Sequence, residues 1–168
     1  MTRSPFRPDE IKPVAKLAAE IIDESYDAIF IRGPQGCGKS TLANYLARFG
    51  VGVHLESDDY FLDERGRYTF DPRFHRDAHT ECMESAARWL RNGSRVIISN
   101  TFSRGWELQD YLDHLGLDLP AVMVLNCTRH GWTADDYAAQ TIHSVPAAAI
   151  QNLLNRWEEW EGEINLWS

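Results

Sequence analysis

The chain predicts an α/β domain built on a parallel sheet, and three observations carry that prediction. Short apolar, β-branched runs alternate with helical stripes; a glycine-rich stretch lies between the first complete run and the stripe after it; and no internal repeat or low-complexity segment breaks the order. Strands separated by helices return to the sheet in the same direction, so alternation implies parallel pairing. At 168 residues, 43% of them hydrophobic, the chain is long enough for one such core and too short for two comfortable ones. The expectation is a single three-layer α/β/α domain over residues 1–168.

Pro8-Asp9 followed by EIKPVAKLAAEIIDE predicts a capped amphipathic helix, starting near Pro13, that serves as packing ahead of the first strand. Asp27 to Arg32, DAIFIR, reads as a buried strand, and KSTLANYLARF from Lys39 places Leu42, Tyr45, Leu46 and Phe49 at helical spacing. Val51 to Ser57, VGVHLES, alternates as a second strand ending at Asp58-Asp59. Tyr60 to Phe74 mixes aromatics, charge, Gly66 and Pro72 without a period and reads as a long flap. A helical stripe runs from His75 to Asn92, closed by Asn92-Gly93. Arg95 to Ser99, RVIIS, is a third buried strand ending in Asn100-Thr101. Trp106, Leu108, Tyr111, Leu112 and Leu115 suit a helix stopped by Gly116, and Ala121 to Cys127 is a fourth strand. The last third reads as helical: Trp132 to Ala139 with Thr133 as cap, a hinge over Gln140 to Val145, then Pro146 leading AAAIQNLLNRWEEW. Trp157, Trp160 and Trp167 read as core or docking contacts ahead of base-stacking platforms.

Cys37, Cys82 and Cys127 are odd in number and lack CxxC or CxxH spacing, which points away from a disulfide framework or a zinc site and towards a reducing compartment. The start MTRSPFRPDE has no apolar signal core, and no run approaches the roughly 18 apolar residues of a membrane span, so a cytoplasmic location without membrane contact is expected. A net charge of −8 argues against a surface coated for non-specific nucleic-acid binding. Arg65, Arg67, Arg73 and Arg76 nonetheless cluster in the flap, where they could face an anionic substrate or simply solvent.

Gly33 to Ser40, GPQGCGKS, fits the phosphate-loop pattern G-x-x-x-x-G-K-[ST] without a mismatch, and it has a strand before it and a helix after it as the pattern requires. Glycines let successive backbone N–H groups turn in on phosphates while the helix points its positive end at the same charge. Gly33, Pro34, Gln35, Gly36, Cys37, Gly38, Lys39, Ser40 and Thr41 are thus the expected contacts of a nucleoside triphosphate. Lys39 supplies a mobile cation for the outer phosphates and Ser40 a hydroxyl for Mg²⁺. Cys37 reads as a small tolerated side chain. A second metal-side carboxylate would normally close an apolar strand. The third strand ends in Asn100 instead, which leaves Asp58 and Asp59 as the acidic candidates. A carboxylate beside an acceptor hydroxyl can take its proton during phosphoryl transfer, and that role falls to this pair.

Five segments in order carry a family resemblance: GPQGCGKST at Gly33 to Thr41, SDDYF at Ser57 to Phe61, GRYTFDP with Ala78-His79, VIISNTFSRGWEL at Val96 to Leu108, and HSVPAAAIQNLL at His143 to Leu154. With these the chain resembles the small P-loop kinases that include NEDD4-binding-protein-2-like proteins and the kinase domain of phage-type polynucleotide 5′-hydroxyl kinase. The resemblance implies an adenylate-kinase-like P-loop NTPase fold with a helical lid at about 128–145, ATP with Mg²⁺, and transfer to a nucleic-acid hydroxyl, DNA ahead of RNA. It makes Asp58 the base, and it places Asn100 and Thr101 along the acceptor site together with Asp59 and Tyr60.

The chain departs from the family in two places. Polynucleotide 5′-kinases have an arginine shortly after the acidic motif, where Phe61 and Leu62 stand here, and the lid stretch DDYAAQTI, Asp135 to Ile142, carries none of the usual arginines. Arg129, Arg104 or a flap arginine would have to substitute. The gap turns attention to other acceptors. One is a hydroxymethyl group on a modified pyrimidine flipped out of DNA into a pocket lined by Tyr60, Phe61, Tyr68, Phe70 and Trp106, aromatics that otherwise pack the flap. Others are a small molecule or nucleoside, which the acidic charge suits, or no acceptor at all, leaving a non-catalytic NTP-binding switch. Nothing in the sequence sets an oligomeric state.

Overall fold

The computed structural model describes residues 11–167. In it the strands' alternating side chains divide between two cores, and that division builds the layers. Helix α1, Ile11–Asp23, tolerates Pro13 because a first-turn N–H has no intrahelical partner to lose. The Pro8-Asp9 cap expected before it lies outside the described residues. The helix buries Val14, Ala18 and Ile21. Strand β1, Ala28–Arg32, is buried at every position, as a central parallel strand covered on both faces must be. Helix α2, Lys39–Arg48, follows; then come β2, Val53–Leu55, and a 3₁₀ turn, Ser57–Phe61. Helix α3, His75–Arg91, strand β3, Val96–Ser99, helix α4, Gly105–Leu115, and strand β4, Val122–Arg129, succeed one another. Short α5, Ala134–Ala138, then α6, Ala147–Asn155, and β5, Ile164–Trp167, complete the described chain.

The five strands lie in the order β2-β3-β1-β4-β5, all parallel. On one face Ile29, Ile31, Ile97, Leu125 and Cys127 pack against α1, α2, α5 and α6. On the other, Phe30, Val96, Ile98, Val122 and Val124 pack against α3 and α4. The three-layer α/β/α fold is therefore as the alternation predicts. With β1 central, the loop after it emerges between the ends of β3 and β4, where parallel α/β sheets bind ligands.

The last third departs from the helical reading. The final helix stops at Asn155, short of Trp157, and β5 pairs with β4 through Leu125↔Ile164 and Asn126↔Asn165. The intervening segment is drawn to the sheet by Arg32, a charged residue 1% exposed at the end of β1. Its guanidinium donates to Phe102 O at 2.6 and 3.0 Å, to Glu158 O at 2.7 Å and to Glu163 Oε2 at 2.7 Å, and it lies 4.3 Å from the Trp157 ring centroid. Trp160 packs against the second core and Trp167 lies 4.5 Å from the Arg129 guanidinium. The tryptophans are packing residues, as expected.

Candidate active site

The glycine-rich loop is shaped by its neighbours as much as by its own sequence. Gly33 N donates to Thr101 O at 3.2 Å, which ties the loop's start to the strand end beside it. Gly36 has φ +80°, and a Cβ there would collide with the carbonyl of Tyr137 in α5, so both backbone sign and space demand glycine. Gly38 has φ +95° and turns the chain into α2. Lys39 Nζ reaches back to Pro34 O at 3.3 Å, and the buried Gln35 Oε1 has no hydrogen-bond partner among the described residues. Cys37 is fully buried against Cys127, a packing position as its size suggests. The nine residues Gly33 to Thr41 thus form one continuous strand-to-helix turn, with Ser40 in the first turn of α2.

The second strand is shorter than VGVHLES predicts because Asn100 captures its end. Asn100 Oδ1 accepts from Ser57 N at 2.9 Å and Ser57 Oγ at 2.8 Å, and this bends the chain into the 3₁₀ turn that carries both aspartates. Asn100 Nδ2 in turn donates to the buried Tyr111 hydroxyl at 3.2 Å. Asp59 turns back on its own segment and accepts from Glu56 N at 3.3 Å. Asp58 faces outward. Lost hydration against the protein behind it and the charge of Glu56 raise its pKa, while Lys39 and His143 act in the opposite direction, as does a hydrogen bond from the Tyr68 hydroxyl. The positive charge of Lys39 therefore acts on the outward aspartate.

A carboxylate that the strand reading concealed also faces the loop. Ser40 Oγ donates to Glu56 Oε2 at 2.7 Å, and Ser99 Oγ donates to the same oxygen at 3.0 Å. His54 Nε2 lies 2.7 Å from Ser99 Oγ, and its Nδ1 lies 3.2 Å from Asn44 Oδ1. Glu56 reads in sequence as the next residue of an alternating strand; the available signal was its register with the end of the third strand, which needs the sheet order to be known.

The flap closes on itself. Phe61, 7% exposed, is its hub, with ring centroids of Tyr60, Tyr68 and Phe70 at 5.3, 6.1 and 5.0 Å. Tyr68 also stacks on His143 at 3.9 Å, which joins the flap to the segment before α6. Trp106 stands apart, 63% exposed on α4. Of the flap arginines, Arg67 pairs with Asp63 at 2.7 Å and Arg73 with Asp71 at 2.6 Å, both within the flap. Arg104 is exposed at the start of α4, where its N–H donates to Glu107 at 3.0 Å. Arg129 is held by rings, 4.8 Å from Trp132 and 4.5 Å from Trp167. Tyr60 borders a shallow groove of about 380 Å³ lined otherwise by Asp77, Thr80, Glu81, Glu84 and Arg88. No helix among the described residues is long and apolar enough to cross a membrane.

A glycine loop between the first strand and helix of a parallel 2-3-1-4-5 sheet, with acidic residues at the neighbouring strand end, defines the P-loop kinase class of fold. The chain belongs to the family whose model is described as an AAA domain, which matches residues 29–159. It is similar to NEDD4-binding protein 2 of Homo sapiens, 37% identical over 87 residues, a match that covers 50% of this chain and 5% of that protein. Among solved structures it resembles a chain of the Pnkp1/Rnl/Hen1 RNA repair complex, with 21% identity, TM-score 0.63, and coverage of 79% of this chain and 44% of that one. It also resembles a gluconokinase from Sinorhizobium meliloti, with 16% identity, TM-score 0.56, and 84% and 80% coverage. A shikimate kinase from Acinetobacter baumannii follows at 14% identity, TM-score 0.51, and 82% and 78% coverage. At these identities the structural likeness is one of fold.

Proposed function

We propose that the chain is an ATP-dependent kinase that transfers the γ-phosphate to a hydroxyl group of a nucleic acid. The observation that carries this reading is that adjacent residues at the end of β3 tie the two halves of the site together: Thr101 O accepts from Gly33 N of the loop that carries Lys39, and Asn100 Oδ1 accepts from Ser57 beside Asp58. Gly33 to Thr41 would hold the triphosphate through backbone N–H groups, and residues 128–145 would act as the lid over it. Mg²⁺, bound with the nucleotide, neutralises charge on the transferring phosphoryl group. The donor set fits it: Ser40 and the residues around it present oxygen ligands, which a hard cation prefers. As the acceptor oxygen bonds to the γ-phosphorus, its proton passes to an Asp58 carboxylate oxygen, and the bond from the γ-phosphorus to the bridging oxygen breaks to leave ADP. Asp59, Tyr60, Asn100, Thr101 and Arg104 would border the acceptor.

The nucleic-acid reading is supported by the five ordered motifs and by the similarity to a component of an RNA repair complex. Small-molecule phosphorylation is the second reading. The groove beside Tyr60 favours it, because three carboxylates, Asp77, Glu81 and Glu84, face it with one arginine, and such a lining repels a phosphate backbone. A pocket for a flipped base is less favoured, since Tyr60, Phe61, Tyr68 and Phe70 pack on one another.

The deciding experiment is transfer of labelled γ-phosphate to 5′-hydroxyl DNA and RNA, hydroxymethylpyrimidine DNA, nucleosides and sugars. Wild type should label one acceptor class, Lys39→Ala none, and Asp58→Asn should lose turnover far more than ATP affinity. ATP binding without labelling of any acceptor would favour the switch reading, and intact turnover in Asp58→Asn would remove the base assignment.

A further inference from the structure

Parallel strands β2 and β3 are in register at Leu55↔Ile98, so the next residues, Glu56 and Ser99, leave the sheet side by side at the same edge. Ser99 also pairs with Ile31 of β1, two residues before the phosphate loop begins. The end of β3 is thus the place from which a carboxylate would reach the loop serine and its cation, and a serine stands there. The carboxylate comes from the adjacent strand end: Glu56 Oε2 lies 2.7 Å from Ser40 Oγ and 3.0 Å from Ser99 Oγ. We propose that Glu56 is the metal-positioning carboxylate of this site, exchanged from the end of β3 to the end of β2, and that with Ser40 it holds the divalent cation of a bound nucleotide.

Three further observations agree. By accepting the Ser40 hydroxyl proton, Glu56 leaves the oxygen's lone pairs free to face a cation. Its side chain is 22% exposed, open enough for an ion to reach. Among the described residues, no Lys or Arg lies within ion-pair distance of it, and the imidazole of His54, 3.7 Å away, is engaged by Ser99 and Asn44. The carboxylate's charge is therefore available beside the loop. No cluster of three or more His, Cys, Asp or Glu among the described residues could hold a metal. Phosphate oxygens must complete the coordination, as is usual for Mg²⁺ at nucleotide sites.

The inference rests on the nucleotide-binding part of the reading above and is independent of the acceptor. It is tested by Mn²⁺ titration, followed by electron paramagnetic resonance, of the protein with a non-hydrolysable ATP analogue, beside analogue affinity measured in EDTA. Glu56→Gln should weaken Mn²⁺ binding to the complex by about 10- to 100-fold, the usual loss when a metal's supporting carboxylate is removed, with affinity in EDTA unchanged. Glu56→Gln/Ser99→Asp, which returns the carboxylate to β3, should recover most of that loss. It also serves as the deciding variant if the single substitution does not fold. Wild-type Mn²⁺ affinity in Glu56→Gln, or no recovery in a double variant that still binds the analogue in EDTA, overturns the assignment. Failure of the wild type to bind the analogue at all overturns the nucleotide reading with it.

Discussion

Asn100 Oδ1 accepts two hydrogen bonds from a single residue, Ser57, through the backbone N–H at 2.9 Å and the hydroxyl at 2.8 Å. One side-chain amide at the end of β3 therefore fixes where β2 stops and how the Asp58-Asp59 turn is presented. Both partners are buried, so neither Ser57 group can turn to water if the amide is lost.

Asn100→Ala should cost on the order of 1–3 kcal/mol for each buried group left unpaired, read by urea unfolding. Turnover should fall while ATP affinity holds, because the phosphate loop is tied to Thr101 O independently, through Gly33 N at 3.2 Å. Asn100→Asp keeps the acceptor for Ser57 but loses the donor to Tyr111 and buries an unpaired carboxylate, so it should be no milder in stability. Equal losses of ATP affinity and turnover would show that the turn and the loop are not separately held.

Gly36→Ala tests the loop from its other side. A methyl group would meet the Tyr137 carbonyl, and the φ of +80° is unfavourable for any Cβ. Backbone strain of about 1–3 kcal/mol localised in the loop should lower nucleotide affinity roughly 5- to 150-fold. Isothermal titration measures it. Wild-type affinity in the variant would mean that α5 moves away from the loop at little cost.

Much of this arrangement was legible in the sequence, for a physical reason. Parallel strands buried on both faces read as apolar runs, so Ala28–Arg32 and Val96–Ser99 announced themselves, and the spacing of Leu42, Leu46, Leu108 and Leu112 marked their helices. What escaped lay in relations across the sheet. Edge strand β5 is four residues long with Ile164 and Asn165 exposed, and the acidic stretch before it imitates a helix surface. Arg32 reads as a strand's polar terminus until Glu163, 131 residues away, is brought against it. Glu56 and Ser99 become neighbours only through the β2–β3 register.

His79 provides a pH test. Burial, and then the nearby charge of His75 at 4.7 Å between ring centroids, lower its pKa to about 4, although Glu107 and Asp110 act in the opposite direction; its Nδ1 lies 2.8 Å from the Tyr111 hydroxyl. In the unfolded chain the ring takes its proton near the ordinary value of 6.5. Between those values the unfolded state binds the proton and the folded state does not, so stability falls as pH drops from 6.5 towards 4 and this contribution levels off below. Roughly 1–3 kcal/mol is at stake over the window. Urea midpoints at stepped pH should fall less steeply in His79→Gln than in wild type, and parallel curves would exclude His79 as the source.

The Arg32–Glu163 pair makes the tail part of the fold. The two side chains are 1% and 6% exposed and 2.7 Å apart, and the same guanidinium satisfies the Phe102 and Glu158 carbonyls. Removing one member of a buried pair leaves an uncompensated charge, so Arg32→Met should destabilise by about 3–5 kcal/mol. Glu163→Gln should cost less, because Arg32 keeps the Phe102 and Glu158 carbonyls and the amide oxygen can still accept from it, but part of the loss remains, since the amide nitrogen then faces the Asn126 Nδ2 donor that Glu163 Oε1 accepts from at 2.8 Å. Arg32→Met/Glu163→Leu should recover part of the loss by removing the stranded carboxylate, though the carbonyls of Phe102 and Glu158 stay unpaired. Urea unfolding of wild type, Arg32→Met, Glu163→Leu and Arg32→Met/Glu163→Leu gives the coupling energy directly. A coupling near zero would mean that the tail is held by Trp157 and Trp160 packing alone, and that the charge pair follows the tail's position without enforcing it.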